Sequence, residues 1–188
     1  MIGAIPRELK IGNDIIPIRA DYRVCLTILQ AWDDDELIIL DKLLITLQLL
    51  YKNTISPDNY KEAYKKAIWF LDGGHIETEE NNIPNKHKLY DWDKDESIIF
   101  SAINNVAGKE IREMKFVHWW TFLGYFNEIK DSVFSTVMTI RNKKYKGKKL
   151  EKWEMDFYLN NKKLIDLPKK HTAQEQKELE ELNRLLCV

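Results

Sequence analysis

The chain has 188 residues, of which 44% are hydrophobic and 31% charged, with only 7 Gly and 5 Pro. That balance excludes collagen-like, linker-like and low-complexity chains, and leaves one globular domain or one domain with an appendage. Lysine and arginine number 29 against 30 acids, which argues against a globally basic nucleic-acid binder and leaves only local patches. Aromatic residues make up 11% of the chain, with 6 Trp, 8 Tyr and 7 Phe. Cys25 and Cys187 stand far apart, in no metal or redox spacing. They read most simply as reduced thiols; a disulfide tying the C-terminus back is the alternative. Arg7 and Glu8 interrupt the first apolar residues, so no signal peptide is expected. The longest uncharged stretches, Ser97–Gly108 and Phe116–Asn127, have 12 residues each, short of the roughly 18–20 that cross a membrane. The expectation is a soluble cytosolic protein without a membrane partner.

Leu9 to Ile18 reads as a hairpin, because apolar residues flank Gly12–Asn13, a pair suited to a tight primed turn. Pro17 confines its second strand to an edge. Asp21 can cap a first helix running to about Trp32, with Val24, Ile28 and Ala31/Trp32 on one face. The run Asp33–Asp35 is expected to end that helix and to cap the next. In the second helix Leu37, Leu40, Leu44 and Leu47 recur at three- and four-residue steps. Ile38, Ile39, Leu43, Ile45, Leu49 and Leu50 widen that stripe nearly all round, which predicts a buried helix. Ser56–Pro57 opens a third helix through Tyr60, Ala63, Tyr64, Ala67, Ile68 and Leu71, and Gly73–Gly74 stops it.

Residues 74–91 lack periodicity and read as a long loop, a kind often functional. A fourth helix starts near Asp93 or Asp95, carries Ile98, Ile99, Ala102, Ile103 and Val106, and ends at Gly108. A fifth is expected from about Ile111 to Ile129, and a sixth over about Ser132–Arg141. Beyond it the composition shifts. Arg141–Lys170 holds eleven basic and four acidic residues, whereas Asp72–Glu96 holds eight acidic and three basic. Thr172 and Glu175 have capping-box spacing, and Leu179, Leu182, Leu185 and Leu186 form one stripe of a tail helix. The fold class is therefore mainly α: a compact multi-helix domain with a small N-terminal β-hairpin and a C-terminal helical extension. The expected division is a helical core over residues 1–145 and a basic linker with a C-terminal helix over 146–188.

Few constellations carry chemistry. Asp91, Asp93, Asp95 and Glu96 resemble the opening of a calcium loop. The sixth position is Glu96 rather than Gly, however, and the twelfth is Ala102 rather than Glu. A helix N-terminus rich in acids explains them better. His75, His87, His118 and His171 show no metal-ligand spacing, and His118 reads as a satisfied buried group. There is no G-x-S-x-G, phosphate loop, dinucleotide fingerprint or H-E-x-x-H, so neither an enzyme nor a cofactor is expected. Arg141–Lys149 has six basic residues in nine, including Lys143, Lys144, Lys146 and Lys148, with Tyr145, Trp153, Phe157 and Tyr158 nearby. That block would suit an acidic protein partner or, as the alternative, single-stranded nucleic acid held by charge and stacking. The densest local signal is Phe116–Phe126, where Phe116, Trp119, Leu123 and Phe126 are expected to line one helical face. Trp120 and Phe122 widen it.

Taken together, several features resemble the gene-product-fifteen family of tailed bacteriophages. These are the N-terminal hairpin, Asp21-Tyr22-Arg23, Trp69–Phe70 before Gly73–Gly74, Tyr90-Asp91-Trp92-Asp93, Ile98–Ile103 and Val117-His118-Trp119-Trp120-Thr121-Phe122. The resemblance covers roughly residues 7–145. It implies a tail assembly chaperone that binds the tape-measure protein, keeps it soluble and passes it to tail-tube subunits. It also implies action in the host cytoplasm and absence from the finished virion. The residues expected to meet partners are Trp119, Trp120, Phe122 and Tyr125, the basic set Arg141, Lys143, Lys144, Lys146, Lys148 and Lys149, and the tail leucines Leu179, Leu182 and Leu186. The opposite charges of residues 72–96 and 141–170 further predict self-association steered by electrostatics.

Overall fold

The computed structural model describes residues 3–75 and 89–167. Most of the expected 74–91 loop, Cys187 and the tail helix with Leu179, Leu182 and Leu186 lie outside the described residues. The chain divides into two compact units, Met1–Met138 and Thr139–Val188.

In the first unit, β1 (Glu8–Ile11) pairs antiparallel with β2 (Asp14–Pro17), in the register Leu9↔Ile16 and Ile11↔Asp14. Gly12 turns the corner at φ +58°, a conformation glycine takes without steric cost. Leu9 and Ile11 are buried and Ile15 is exposed, so the ribbon has one wet and one dry face. Its backbone is tied down at both ends. The Gly12 N–H donates to the Glu62 carboxylate at 3.0 Å, and Lys52 N–H donates to the Pro17 carbonyl at 2.9 Å.

Helix α1 (Tyr22–Asp33) is capped by Asp21, whose Oδ1 accepts the Arg23 N–H at 3.0 Å. Its innermost residues are Tyr22, Cys25 and Ile28, with Val24, Ala31 and Trp32 beside them at intermediate depth. The dry stripe is thus turned from the expected one, because Tyr22 stacks on a ring across the core. Asp34 ends α1 but does not cap the next helix; its Oδ1 accepts the Glu36 N–H instead. Helix α2 (Ile39–Leu50) starts at Ile38 with no side-chain cap. The prediction of a helix buried all round fails here. Leu47 and Leu50 are buried, but Ile38, Ile39 and Leu40 are 63%, 76% and 58% exposed. The first turn of α2 stands clear of the core, and Leu43, Leu47, Leu49 and Leu50 pack on it.

A 3₁₀ turn, Pro57–Asn59, precedes α3 (Tyr60–Leu71). Ser56 makes no side-chain cap hydrogen bond there. The Tyr51 hydroxyl donates to the Ala63 carbonyl at 2.7 Å inside the core, and burial pushes that phenol well above its ordinary pKa. Gly74, at φ +86°, closes α3 by donating its N–H to the Trp69 carbonyl. Helix α4 (Glu96–Ala107) buries Ile99, Phe100, Ala102 and Ile103, and stops at Gly108 in the left-handed region.

The expected fifth helix is shorter than its apolar pattern. Residues Ile111–Glu113 form a 3₁₀ turn, and α5 runs only over Trp119–Asn127. Backbone pairing with a distant segment is the reason. Tyr22 N–H donates to Val117 O at 3.0 Å, and Trp119 N–H donates to Ala20 O at 2.8 Å. These groups cannot also serve an α-helix. Phe116 therefore leaves the expected helical face and is exposed. Helix α6 (Val133–Tyr145) runs four residues past the expected end. Gly147, at φ +62°, terminates it, with Lys148 N–H donating to Lys143 O at 2.8 Å. In the second unit, α7 (Lys152–Asn160) and α8 (Lys162–Ile165) follow.

Candidate functional site

Three features could form a site: the aromatic helix, the basic block and the exposed apolar side chains. The aromatic helix is a core element. His118 caps α5, with Nδ1 accepting the Trp120 N–H at 3.1 Å and Nε2 bonded to Pro6 O at 2.8 Å. Burial lowers the imidazole pKa, outweighing the opposing hydrogen bond to Pro6, so the neutral ring is favoured. Trp119 is 1% exposed and donates Nε1–H to Leu71 O at 2.8 Å. Phe122 is fully buried between Tyr22, stacked at 4.8 Å, and Trp119, stacked at 5.5 Å. Trp120 is half-buried. It donates Nε1–H to Phe70 O at 2.9 Å and meets Trp69 edge-on at 5.4 Å. Tyr125 is also half-buried. The faces of Trp119 and Phe122 are thus occupied by the protein itself, while Trp120 and Tyr125 keep partial access.

The basic block divides in two. Arg141 is buried, its Nε donating to Ile165 O at 2.6 Å and its NH2 to Leu164 O at 2.8 Å. Lys143 reaches the buried Glu154 carboxylate at 2.6 Å, and Lys144 reaches Asp166 at 2.5 Å. Hydrogen bonding to Glu154 raises the Lys143 pKa, and hydrogen bonding from Lys143 lowers that of Glu154. Lys144 also lies 3.8 Å from the centre of the Tyr158 ring. These three cations hold α6, α7 and α8 together. Lys146, Lys148 and Lys149 are exposed. A charge count cannot separate the two groups; a helix continuing through Tyr145 does, because it turns Arg141, Lys143 and Lys144 toward α7 and α8.

Two exposed apolar surfaces escaped the sequence reading. Ile38, Ile39 and Leu40 form the first, beside exposed Asp34, Glu36 and Asp41. Met155 and Leu159, one turn apart on α7, form the second, at 41% and 64% exposure, while Trp153, 54% exposed, stands on another side of the helix. One signal for the first was legible: three apolar residues stand where a helix start ordinarily carries a polar cap. The second had only the Met155/Leu159 spacing of four.

A groove of about 350 Å³ lies along α1 and α4, lined by Tyr22, Leu26, Trp92 and Phe100. Its arginines are engaged locally. Arg23 donates to the carbonyls of Arg112 and Met114, each at 2.8 Å, and Arg112 donates to Glu110. The Arg112 side-chain and backbone hydrogen bonds bring the Glu110 pKa down to about 2. At the start of α4, Asp91 Oδ1 accepts the N–H groups of Asp93 and Lys94, and Asp95 Oδ2 accepts that of Asp91. These are turn-forming bonds. Among the described residues no cluster of His, Cys, Asp or Glu is placed to hold a metal ion. Nor is any helix there long and apolar enough to cross a membrane.

Comparison with curated proteins and with solved structures returns no significant match. A family profile described as Bacteriophage Gp15 protein does match, over residues 2–167. That span takes in the hairpin, α1 to α8 and the His118-Trp119-Trp120 segment. With most of its length matched, the chain belongs to the bacteriophage Gp15 protein family.

Proposed function

We propose that this phage protein is a tail assembly chaperone. It binds the tape-measure protein, keeps it soluble and yields it to tail-tube subunits. It does so in the host cytoplasm and stays out of the finished virion. Family membership supports a phage role. The observation that carries the binding role is the run Ile38–Ile39–Leu40, three consecutive large apolar side chains left in water at an uncapped helix start. Covering apolar area gains about 25 cal/mol per Å². So small a patch therefore holds an amphipathic helix weakly, and a chaperone that must release its client needs weak, replaceable contacts. The half-buried Trp120 and Tyr125 are secondary anchors in this reading.

Co-expression with the tape-measure protein of the same phage tests it. The expected result is a soluble client that co-purifies, and that is lost with Ile39→Asp. A client that stays insoluble beside abundant soluble chaperone overturns the proposal. The nucleic-acid alternative retains Lys146, Lys148 and Lys149 beside exposed Tyr145 and Trp153. It predicts a salt-sensitive mobility shift of single-stranded DNA, which the chaperone reading does not require.

A further inference from the structure

We infer that the protein associates head-to-tail, with α7 of one copy seated on the start of α2 of a second copy. The two exposed apolar surfaces are flanked by side chains of opposite charge. Around Ile38, Ile39 and Leu40 stand the exposed acids Asp34, Glu36 and Asp41. The nearby cation Lys42 turns its ammonium to the Trp32 carbonyl at 2.9 Å. The exposed lysines Lys146, Lys148, Lys149 and Lys152 precede Met155 and Leu159 in the chain, and Lys152 lies one turn before Met155 on α7. The acids on that side are Glu151 and Asp156, so the surface remains net positive; Glu154 is neutralised by Lys143. Met155 and Leu159 lie one turn apart on α7 and present a short apolar ridge. The uncapped start of α2 presents three branched or bulky side chains for that ridge to meet.

Two different surfaces that fit each other make a heterologous contact, which propagates into a ring or an open filament rather than a closed two-fold dimer. The interface is small, so association is weak, and lysine–carboxylate pairing at its rim makes it salt-dependent. It uses the same α2 surface as the chaperone reading, so a client helix would displace the second copy. The inference itself stands without that reading, and its test contains no client.

Sedimentation equilibrium of the full chain is the first arm. The weight-average mass is expected to climb past about 1.5 times the 22.4 kDa monomer at high concentration in ~50 mM salt, and to fall back in ~500 mM salt. Mixing is the second arm. Ile39→Asp spoils the α2 surface and Leu159→Asp the α7 surface, both at exposed positions. Each variant alone is expected to stay monomeric. Their equimolar mixture is expected to form a dimer and nothing longer, because one intact surface of each kind remains. Lys148→Glu with Lys149→Glu supplies a second loss, outside any helix, and Glu36→Lys in the other copy is expected to restore it. A wild-type monomer at every concentration in low salt overturns the inference. So does a mixture that stays monomeric, or variants that associate as the wild type does.

Discussion

Each of the two compact units is closed internally by a different chemistry. Residues up to Met138 close around rings and aliphatic side chains: Tyr22, Phe100, Trp119 and Phe122 share one cluster, with Ile11, Ile28, Leu50 and Ile103 fully buried about it. From Thr139 on, the described apolar core is thin, with Ile140 and Ile165 its buried members. Arg141, Lys143–Glu154 and Lys144–Asp166 supply the rest. The contrast matters for function. Burial of apolar area has no charge for salt to screen, whereas ion pairs and charge-assisted hydrogen bonds respond to screening and to pH. Apolar burial closes the first unit, and ion pairs with charged hydrogen bonds close much of the second.

The largest expected effect breaks the first unit. Trp119→Ala should cost about 3–5 kcal/mol, read as a lower denaturant midpoint; Trp119→Phe should cost clearly less. Arg141→Met comes next and breaks the second unit. It strands the carbonyls of Leu164 and Ile165 without their charged donor, for about 2–3 kcal/mol. Hydrogen exchange should quicken over residues 152–165 and stay slow at Ile99–Ile103. If both regions respond alike, the two chemistries are not separable. Gly74→Ala should cost about 1–2 kcal/mol, because φ is +86° and the added Cβ would sit 2.7 Å from the Trp120 ring. A thermal melt checks it.

The smallest effect sharpens the comparison through pH. His118 has a lowered pKa in the folded state, so its contribution is complete above about pH 6.5, the ordinary histidine value, and fades as pH falls below it. Glu154 and Asp166 are also lowered. Hydrogen bonding from Lys143 dominates at Glu154; at Asp166 burial opposes the shift, but bonds from Lys144 and Tyr158 outweigh it. Their contributions persist above the ordinary carboxylate range and are lost only as pH falls through it. Between pH 7 and 5 the first unit should therefore weaken slightly while the second holds. Melts across that range check this, with His118→Gln flattening the dependence.

Much of the fold was legible because its signals are local. Gly12–Asn13 marked the hairpin, Asp21 the first helix, and Gly73–Gly74 and Gly108 the ends of the third and fourth. The family was legible in the Val117–Phe122 segment and its companions, and the profile match bears it out. The candidate surfaces were mostly hidden. Phe116 looked like part of a helical face, because its spacing to Trp119 fits the helical period. Arg141, Lys143 and Lys144 looked like open charge, because their partners lie 11 to 24 residues further on.

The sequence by itself determined the helical class, the turn positions and the family, since capping, glycine conformation and apolar period act over a few residues. Only the tertiary structure decided which apolar residues stay wet and which cations are spent internally. The Asp21 carboxylate accepts the Val117 N–H across 96 residues of chain. That pairing sets where α5 begins and which aromatic faces are sealed. Ile38–Leu40 and the α7 ridge stay largely exposed, although their apolar character reads as core. No local pattern records which neighbour a side chain will meet, because burial depends on segments brought together only when the chain closes on itself.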